Sequence, residues 1–245
     1  MKAAFAVLLL GASFFQAQAA ELKPLLAQPD QVVLKDDFSK PGPFNKKQWG
    51  ARQGTRWVIE DGVLRGRPST PEYQAKKKDH KGYEPRISSP VTPAQFIAQF
   101  SIRFSEGSPT AIVPFVEFGH HVCRLRFSEE GVEIVAEGES VKVAESHELK
   151  FEPGRWYHAL AEMKGEEFVI QFVEGPTLYA KHPCFAKPAP SGGNGLGVAG
   201  TNDGKVELDN VTLWSIQAEA QTGWETKRQT FPAYTPVPLA KKKAK

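Results

Sequence analysis

The chain has 245 residues, of which 40% are hydrophobic, 24% charged and 11% aromatic, with 21 Gly, 19 Pro and 2 Cys. These fractions are typical of a globular protein and exclude a coiled coil, a collagen-like chain, a disordered chain and a disulfide-rich scaffold. Of the 31 Lys and Arg, five lie at the two ends of the chain: Lys2 and four of the last five residues. The rest of the chain therefore has fewer basic residues than its 28 Asp and Glu and is slightly acidic. This distribution argues against nucleic-acid binding.

The N-terminus is predicted to be an export signal. A positively charged start precedes an apolar run over residues 3–15, and Ala17 and Ala19 fit the small-x-small pattern for cleavage after Ala19. The run is shorter than the roughly 20 residues that span a bilayer. We therefore expect a signal peptide over residues 1–19, a secreted or periplasmic protein and no transmembrane segment. A buried N-terminal helix is the alternative.

Export would expose the two cysteines to an oxidising compartment. A disulfide between Cys123 and Cys184 would close a loop of about 60 residues and contribute roughly 4 kcal/mol in the chain-entropy picture. Whether the two side chains meet is left open by the sequence.

Beyond the signal, hydrophobic residues alternate with a period of two, as in half-buried strands. Residues 96–104 are the clearest case, and residues 57–65 are predicted to form a hairpin, because Asp61-Gly62 tolerates the positive φ values of a two-residue turn. Further strands are expected over residues 32–38, 112–118, 123–127, 132–135, 141–143, 156–163, 168–172, 196–198 and 206–214. No segment with helical periodicity lies between these strands. The pattern therefore predicts an all-β fold, an antiparallel two-sheet jelly-roll sandwich over residues 20–216.

Residues 66–95 form a long polar interruption between predicted strands. In a compact domain such a loop is usually functional or disordered. It contains Asp79, His80, Tyr83 and Arg86, side chains that exchange protons or bind polyols, and the Tyr83 ring would be able to stack on a sugar. We expect the loop to fold over the sandwich, although a solvated loop explains its composition equally well.

A double histidine, His120-His121, lies in a predicted strand with Arg124. Successive side chains of a strand point to opposite faces, so a regular strand would separate His121 from Arg124. A bulge near Gly119 would bring them to one side. The alternative is one surface histidine and one hydrogen-bonded, half-buried histidine.

Two oxygen-rich pairs lie near the ends of the predicted domain, Asp36-Asp37 and Asp209-Asn210. If the sandwich brings its ends together, Asp37 and Asp209 would hold a structural Ca²⁺, which takes 6–8 oxygen ligands. The alternative is that Asp209 and Asn210 make turn or bulge hydrogen bonds.

Two remaining segments carry no predicted catalytic chemistry. Residues 195–200 match G-x-G-x-x-G, but a turn rather than a helix follows them, so no dinucleotide site is predicted. From about residue 217 the chain becomes polar and proline-rich and ends in lysines. We expect an extended tail over residues 217–245. Contact of its basic end with an anionic cell-envelope polymer belongs to the third alternative function given below.

Several segments together resemble one group of proteins. They are residues 35–39, 54–64, 79–81, 121–124, 153–157 and 209–214, and they are similar to concanavalin A-like, laminin-G-type jelly rolls. Over residues 32–216 the chain resembles secreted proteins related to the 3-keto-disaccharide hydrolase domain family. The resemblance implies a carbohydrate-active domain that acts on or binds a glycoside or keto-glycoside.

For an enzyme of this kind, the resemblance implies proton abstraction beside a keto group. His80 or His121 would be the base, and Arg124 would stabilise the developing enolate oxygen. Substrate would be bound by Asp79, Tyr83, Arg86, Glu117 and His120.

The sequence departs from related enzymes in its centre. Residues 110–121 lack the N-S-G-x-x-x-R strand and the acidic G-x-E-x-Q segment of the better-described hydrolases, and residues 132–137 lack the central Asp of the family 16 glycoside hydrolase signature E-x-D-x-x-E. A non-catalytic, lectin-like carbohydrate-binding module is therefore the alternative function, and a cell-envelope interaction protein is the third.

Overall fold

The computed structural model describes residues 22–89, 93–105, 114–187 and 195–240. The predicted signal peptide and the lysine-rich end at 241–245 lie outside these residues. The strands are β1 (Ala27–Asp36), β2 (Gly50–Ala51), β3 (Arg56–Glu60), β4 (Val63–Arg67), β5 (Arg86–Ser88), β6 (Ile97–Phe104), β7 (Phe115–Phe118), β8 (Cys123–Ser128), β9 (Gly131–Ala136), β10 (Val141–Ser146), β11 (Trp156–Lys164), β12 (Glu167–Phe172), β13 (Thr177–Lys181), β14 (Leu196–Ala199), β15 (Val206–Ala220) and β16 (Val237–Pro238). Two short helices are α1 (Pro71–Ala75) and α2 (Trp224–Arg228).

The strands form two antiparallel sheets, which confirms the predicted jelly-roll sandwich. Sheet one has the order β13-β12-β11-β6-β15-β4-β3, with β1 paired to β15, and sheet two has the order β16-β10-β9-β8-β7-β14-β5-β2. The expected absence of helices is nearly correct, because α1 and α2 have five residues each. Within the described residues, no helix is long and apolar enough to cross a bilayer.

The core lies between the sheets and is rich in phenylalanine. Phe100 of sheet one and Phe118 of sheet two have ring centroids 6.2 Å apart, and Phe118 and Phe168 are separated by 4.9 Å. Burying one such side chain contributes about 1.5–3 kcal/mol. Strand alternation places these rings inward and leaves the polar side chains of the same strands on the outer faces.

The predicted hairpin is present as β3 and β4. Asp61 and Gly62 connect the strands with φ values of 53° and 74°. Positive φ at both central residues is what a two-residue turn of the favoured hand requires. The dipeptide therefore sets the register of this hairpin.

The long loop over residues 66–95 is hydrogen-bonded to the sandwich. The backbone N–H of Ser69 donates to the carbonyl of Gly82 at 2.8 Å, which closes the segment that holds α1. The carbonyls of Tyr83 and Pro85 accept from the backbone of the β14–β15 connection. The loop then continues into β5, which pairs with β2 and β14 in sheet two.

The segment expected to be an extended tail differs from that prediction. The boundary at residue 216 falls inside β15, which continues to Ala220. Trp224 of α2 is buried against Leu26 and Val169, and its indole N–H donates to Glu167 at 3.1 Å. One large aromatic residue in a polar stretch is enough to dock the segment, because it covers apolar surface on the outer side of sheet one.

Candidate functional site

The site lies on the outer face of sheet two, where β5, β14, β7 and β8 are neighbours. Alternate residues of these strands point away from the core. The outward-facing residues are Arg86 and Ser88 of β5, Gly197 of β14, Phe115 and Glu117 of β7, and Arg124 of β8.

The double histidine lies in a turn, so the predicted strand around it is wrong. Residues 119–122 connect β7 and β8, with φ values of 71° at Gly119 and 62° at His121. The alternation of β8 begins at Cys123 and does not extend back to the histidines. The turn has the effect that was expected of a bulge, because it brings His121 close to Arg124. Nδ1 of His121 lies 3.3 Å from Nη2 of Arg124.

Glu117 is the centre of the cluster. Its Oε1 accepts from the backbone N–H of His121 at 3.0 Å and from Nε of Arg124 at 3.0 Å, and its Oε2 lies 3.1 Å from Nδ1 of His120. Burial raises the pKa of this carboxyl, but the Arg124 charge and the bonds from the two histidine residues together bring the pKa below its usual value. Glu117 is therefore ionised at neutral pH.

The two arginines of this face are held between aromatic and acidic groups. The guanidinium of Arg124 lies 4.3 Å from the ring centroid of Phe115 and bonds Glu137 as well as Glu117. The guanidinium of Arg86 lies 5.5 Å from the same ring, and its Nε donates to Glu84 at 2.8 Å. Each of these arginines is thus oriented by a carboxylate and a ring face.

His121 is held in its neutral form at neutral pH. Burial lowers its pKa, and the nearby His120 and Arg124 lower it further. The two imidazole rings are in contact, with centroids 3.9 Å apart. A neutral imidazole beside a guanidinium is able to accept a proton while the arginine stabilises developing negative charge.

Arg52 approaches the cluster from the connection after β2. Its Nη1 and Nη2 each lie 3.4 Å from a ring nitrogen of His120. Its backbone N–H donates to the carbonyl of Arg86 at 2.9 Å, and the buried Thr55 hydroxyl lies 2.7 and 2.9 Å from the carbonyls of Arg52 and Arg86. The segment that carries Arg52 is therefore fixed to β5.

These groups surround a shallow depression of about 10 Å³, the size of one water-sized group. Gly197 forms part of its wall, and a Cβ there would lie 3.4 Å from Oε2 of Glu117. The polar lining consists of Arg52, Arg86, Ser88, Glu117 and His120.

The structure brings together five of the eight residues predicted to catalyse or bind: Arg86, Glu117, His120, His121 and Arg124. His80 is exposed and does not line the depression; its Nδ1 lies 3.1 Å from Nε2 of Gln53, the residue after Arg52. Asp79 and Tyr83 are exposed, and no hydrogen bond within the described ranges joins their side chains to the cluster.

Arg52, Glu84 and Glu137 were missed by sequence reasoning. Arg52 and Glu137 come from other segments and reach the site through strand pairing, whereas Glu84 lies two residues before Arg86 in the polar loop. No local pattern distinguishes them from ordinary surface charges.

One group in the described part of the chain has the composition of a metal site. Donor atoms of Glu117, His120 and His121 lie within 4.8 Å of one another. However, Arg52 faces the ring nitrogens of His120, and Arg124 faces Nδ1 of His121. Two guanidinium groups beside the donor nitrogens repel a cation, so this cluster is better suited to an anionic or hydroxyl group.

The predicted calcium ligands lie on sheet one and are near each other. Burial and the charge of Asp37 raise the pKa of Asp209. Oδ1 of Asp37 accepts from the backbone of Ser39 at 3.0 Å, and both carboxylate oxygens of Asp209 accept from Asn210 at 2.7 Å. Calcium binding at Asp37 and Asp209 stays a prediction.

The two cysteines lie behind the turn as free, buried thiols. The Cys184 thiol donates to the carbonyl of Val122 at 3.4 Å, and burial raises the pKa of both thiols. The disulfide that the sequence left open is not formed in this structure.

No family model and no curated protein matches the chain. Among solved structures, a sialidase is similar over 75% of this chain and 18% of its own, with 14% identity and a TM-score of 0.52. The carbohydrate-binding module CBM66 from Bacillus subtilis is similar over 71% of this chain and 100% of its own, with 16% identity and a TM-score of 0.43. The non-specific endo-β-1,3(4)-glucanase SCLam from family GH16 is similar over 82% and 98%, with 10% identity and a TM-score of 0.49. At 14% identity, the similarity to the matched part of the sialidase concerns the fold alone.

Proposed function

We propose that this protein binds a carbohydrate on the outer face of sheet two. The observation that carries the proposal is the cluster of Glu117, His120, His121 and Arg124, which presents donors and an ionised acceptor in a fixed arrangement. Fixed polar groups of this kind give a sugar site its orientation and specificity. The sequence resemblance to the 3-keto-disaccharide hydrolase family supports the same ligand class.

The shape of the site indicates how a sugar would lie. The depression of about 10 Å³ accommodates one substituent, not a whole ring. Arg52, which lines the depression, and His121, in the turn beside it, are both exposed. A sugar chain would therefore lie across the face and insert a single polar substituent between the side chains.

Binding is tested by screening neutral and charged oligosaccharides on a glycan array and titrating the positive ones by calorimetry. We expect Glu117→Gln to weaken binding about tenfold, because a charge-assisted hydrogen bond is stronger than a neutral one. Glu133→Gln is the matched control, since Glu133 pairs with Arg126 on the same face at 3.1 Å. The absence of any bound glycan, or an equal loss in both variants, contradicts the proposal.

A second candidate function is catalysis on a 3-keto-glycoside, and the neutral His121 beside Arg124 favours it. His121 would remove the proton next to the keto group, and the guanidinium of Arg124 would stabilise the resulting enolate oxygen. His80, which contacts Gln53 next to Arg52, is the other candidate base.

Catalysis is tested by incubating the protein with 3-keto-glycosides and plain glycosides and measuring product masses. We expect His121→Gln to abolish turnover and retain sugar binding, because the amide is polar but does not accept a proton near neutral pH. His80→Gln tests the other base. If the unmodified protein converts none of these compounds, the catalytic candidate is rejected, and the binding proposal is judged by the titrations alone.

A further inference from the structure

We infer that the bound carbohydrate carries an oxyanion, a carboxylate or a sulfate, and that Arg52 selects it. This inference rests on the proposed function and adds the chemical class of the ligand. It comes from the way the charges of the site are paired, from the position of Arg52 and from the size of the depression.

The carboxylates of the site are already paired with other groups. Glu84 bonds Arg86, and Glu117 and Glu137 bond Arg124. Among the ion pairs within the described residues, none involves Arg52, whose polar side-chain contact is with His120. Arg52, Arg86 and Arg124 together balance Glu84, Glu117 and Glu137, so these six groups are neutral overall. Because Glu117 and Glu137 share Arg124, Arg52 is the arginine of the site that has no carboxylate partner among the described residues.

The depression places that charge beside a second guanidinium. Arg52 and Arg86 both line it, together with the Ser88 hydroxyl and the side-chain-free Gly197. A space of about 10 Å³ suits an oxygen of a carboxylate or sulfate substituent. The planar fork of an arginine bonds such groups through two parallel N–H donors. Glu117 also lines the depression, but both of its carboxylate oxygens already accept hydrogen bonds, from Arg124 and from the two histidine residues.

The backbone beneath Arg52 is ordered before any ligand binds. The Thr55 hydroxyl fixes the carbonyls of Arg52 and Arg86, and the indole N–H of Trp57 donates to Thr55 at 3.0 Å and lies 3.1 Å from the Arg86 carbonyl. A fixed backbone leaves only side-chain rotation to be restricted on binding, which lowers the entropic cost.

The experiment compares ligands that differ only in charge. The probes are trigalacturonic acid, its fully methyl-esterified form and a sulfated galactan tetrasaccharide with its desulfated counterpart. We expect the anionic form of at least one pair to bind about tenfold more tightly than the neutral form at low salt, with the difference reduced at high salt. The pair that shows the difference identifies the oxyanion.

Arg52→Gln is the decisive variant, because Arg52 is exposed and its replacement leaves the core untouched. We expect the ratio of anionic to neutral affinity to fall to near one. Arg56→Gln is the matched control, since Arg56 is an exposed arginine of sheet one that bonds a backbone carbonyl, and it is expected to keep the ratio.

Two results overturn the inference and leave the proposed function intact. The first is that charged and neutral forms bind equally well, while Glu117→Gln still weakens their binding. The second is that Arg52→Gln keeps the preference for the anionic form. Failure of every probe and every arrayed glycan to bind rejects the proposed function itself.

Discussion

The outer faces of the two sheets each carry a buried carboxylate between cationic groups, yet they differ in what surrounds it. On sheet one, Glu207 accepts from Arg65 at 2.6 Å and also bonds Arg103, and Glu60 bonds Arg65 and Arg67. All five residues lie within regular strands. Each arginine has a carboxylate partner.

On sheet two the carboxylate stands where a strand ends. Glu117 is bonded by one arginine, by one histidine side chain and by the backbone N–H of a residue with positive φ. Arg52 adds a charge without a carboxylate partner among the described residues. A polar turn residue at positive φ and an arginine without a carboxylate partner are features found at sites that bind ligands. On sheet one every arginine of the network has a carboxylate partner, and packing alone explains the arrangement.

The largest expected effect is on sheet one. Glu207→Gln should lower the free energy of unfolding by about 3 kcal/mol, the lower end of the cost of breaking a buried ion pair, because Glu207 is buried and two partly buried guanidinium groups share it. Arg65 keeps Glu60, whereas Arg103 has no other carboxylate partner among the described residues. Glycan binding should not change. Urea denaturation followed by tryptophan fluorescence measures the loss, and a loss below about 1 kcal/mol would show that this network is not a structural one.

Calcium binding would make the outer face of sheet one a ligand-binding face as well, because Asp209 lies on the same face as Glu207. The contrast between the two sheets would then not hold. At 100 times its dissociation constant, a ligand that binds only the folded state adds ~2.7 kcal/mol. Melting temperature should fall with chelator and recover with calcium, and Asp209→Asn should abolish the response. An identical melting curve in metal-depleted and calcium-loaded protein removes this prediction.

Glu117→Gln is the counterpart of Glu207→Gln on sheet two, and its expected cost is about 1 kcal/mol. The loss is smaller because the amide oxygen still accepts from the backbone of His121 and because Arg124 keeps Glu137. The same urea denaturation measures it. A cost equal to that of Glu207→Gln would mean that the two faces have the same structural role.

The smallest expected effect is a pH dependence due to His121. Its pKa in the folded protein lies below the unfolded value of about 6.5, so between the two pKa values the unfolded chain binds more protons. This contribution to stability is fully present above about pH 6.5 and is lost as the pH falls towards the folded pKa.

Melting temperatures from pH 7.5 to 5 should therefore decline less steeply in His121→Gln. His158→Gln on sheet one, where His158 lies 2.7 Å from the Ser101 hydroxyl, is the comparison variant. Slopes are compared instead of absolute melting temperatures, because Gln at positive φ adds its own strain. Identical slopes in His121→Gln and the unmodified protein would contradict the assigned pKa direction.

The sandwich was predictable because period-two alternation and the Asp61-Gly62 turn are local signals. The histidine turn was not, since Gly119 is the one local sign of a turn there, and a glycine is equally compatible with a bulge within a continuous strand. The position of Arg52 depends on β14 lying between β5 and β7, a strand order that no local pattern encodes. The cluster of Glu117, the two histidines and Arg124 within the β7–β8 hairpin was therefore predictable from the sequence. Arg52, which another strand brings to the site, was not.

The central position of β15 has a consequence for how the chain folds. β15 begins at Val206 and pairs with β1, which begins at Ala27, and with β4 and β6. Sheet one is therefore incomplete until Val206–Ala220 has left the ribosome, and its closure joins segments that are far apart in sequence. Contacts of such separation slow folding, because the loop must be closed before they form. In a nascent chain, sheet one would therefore stay open through most of synthesis.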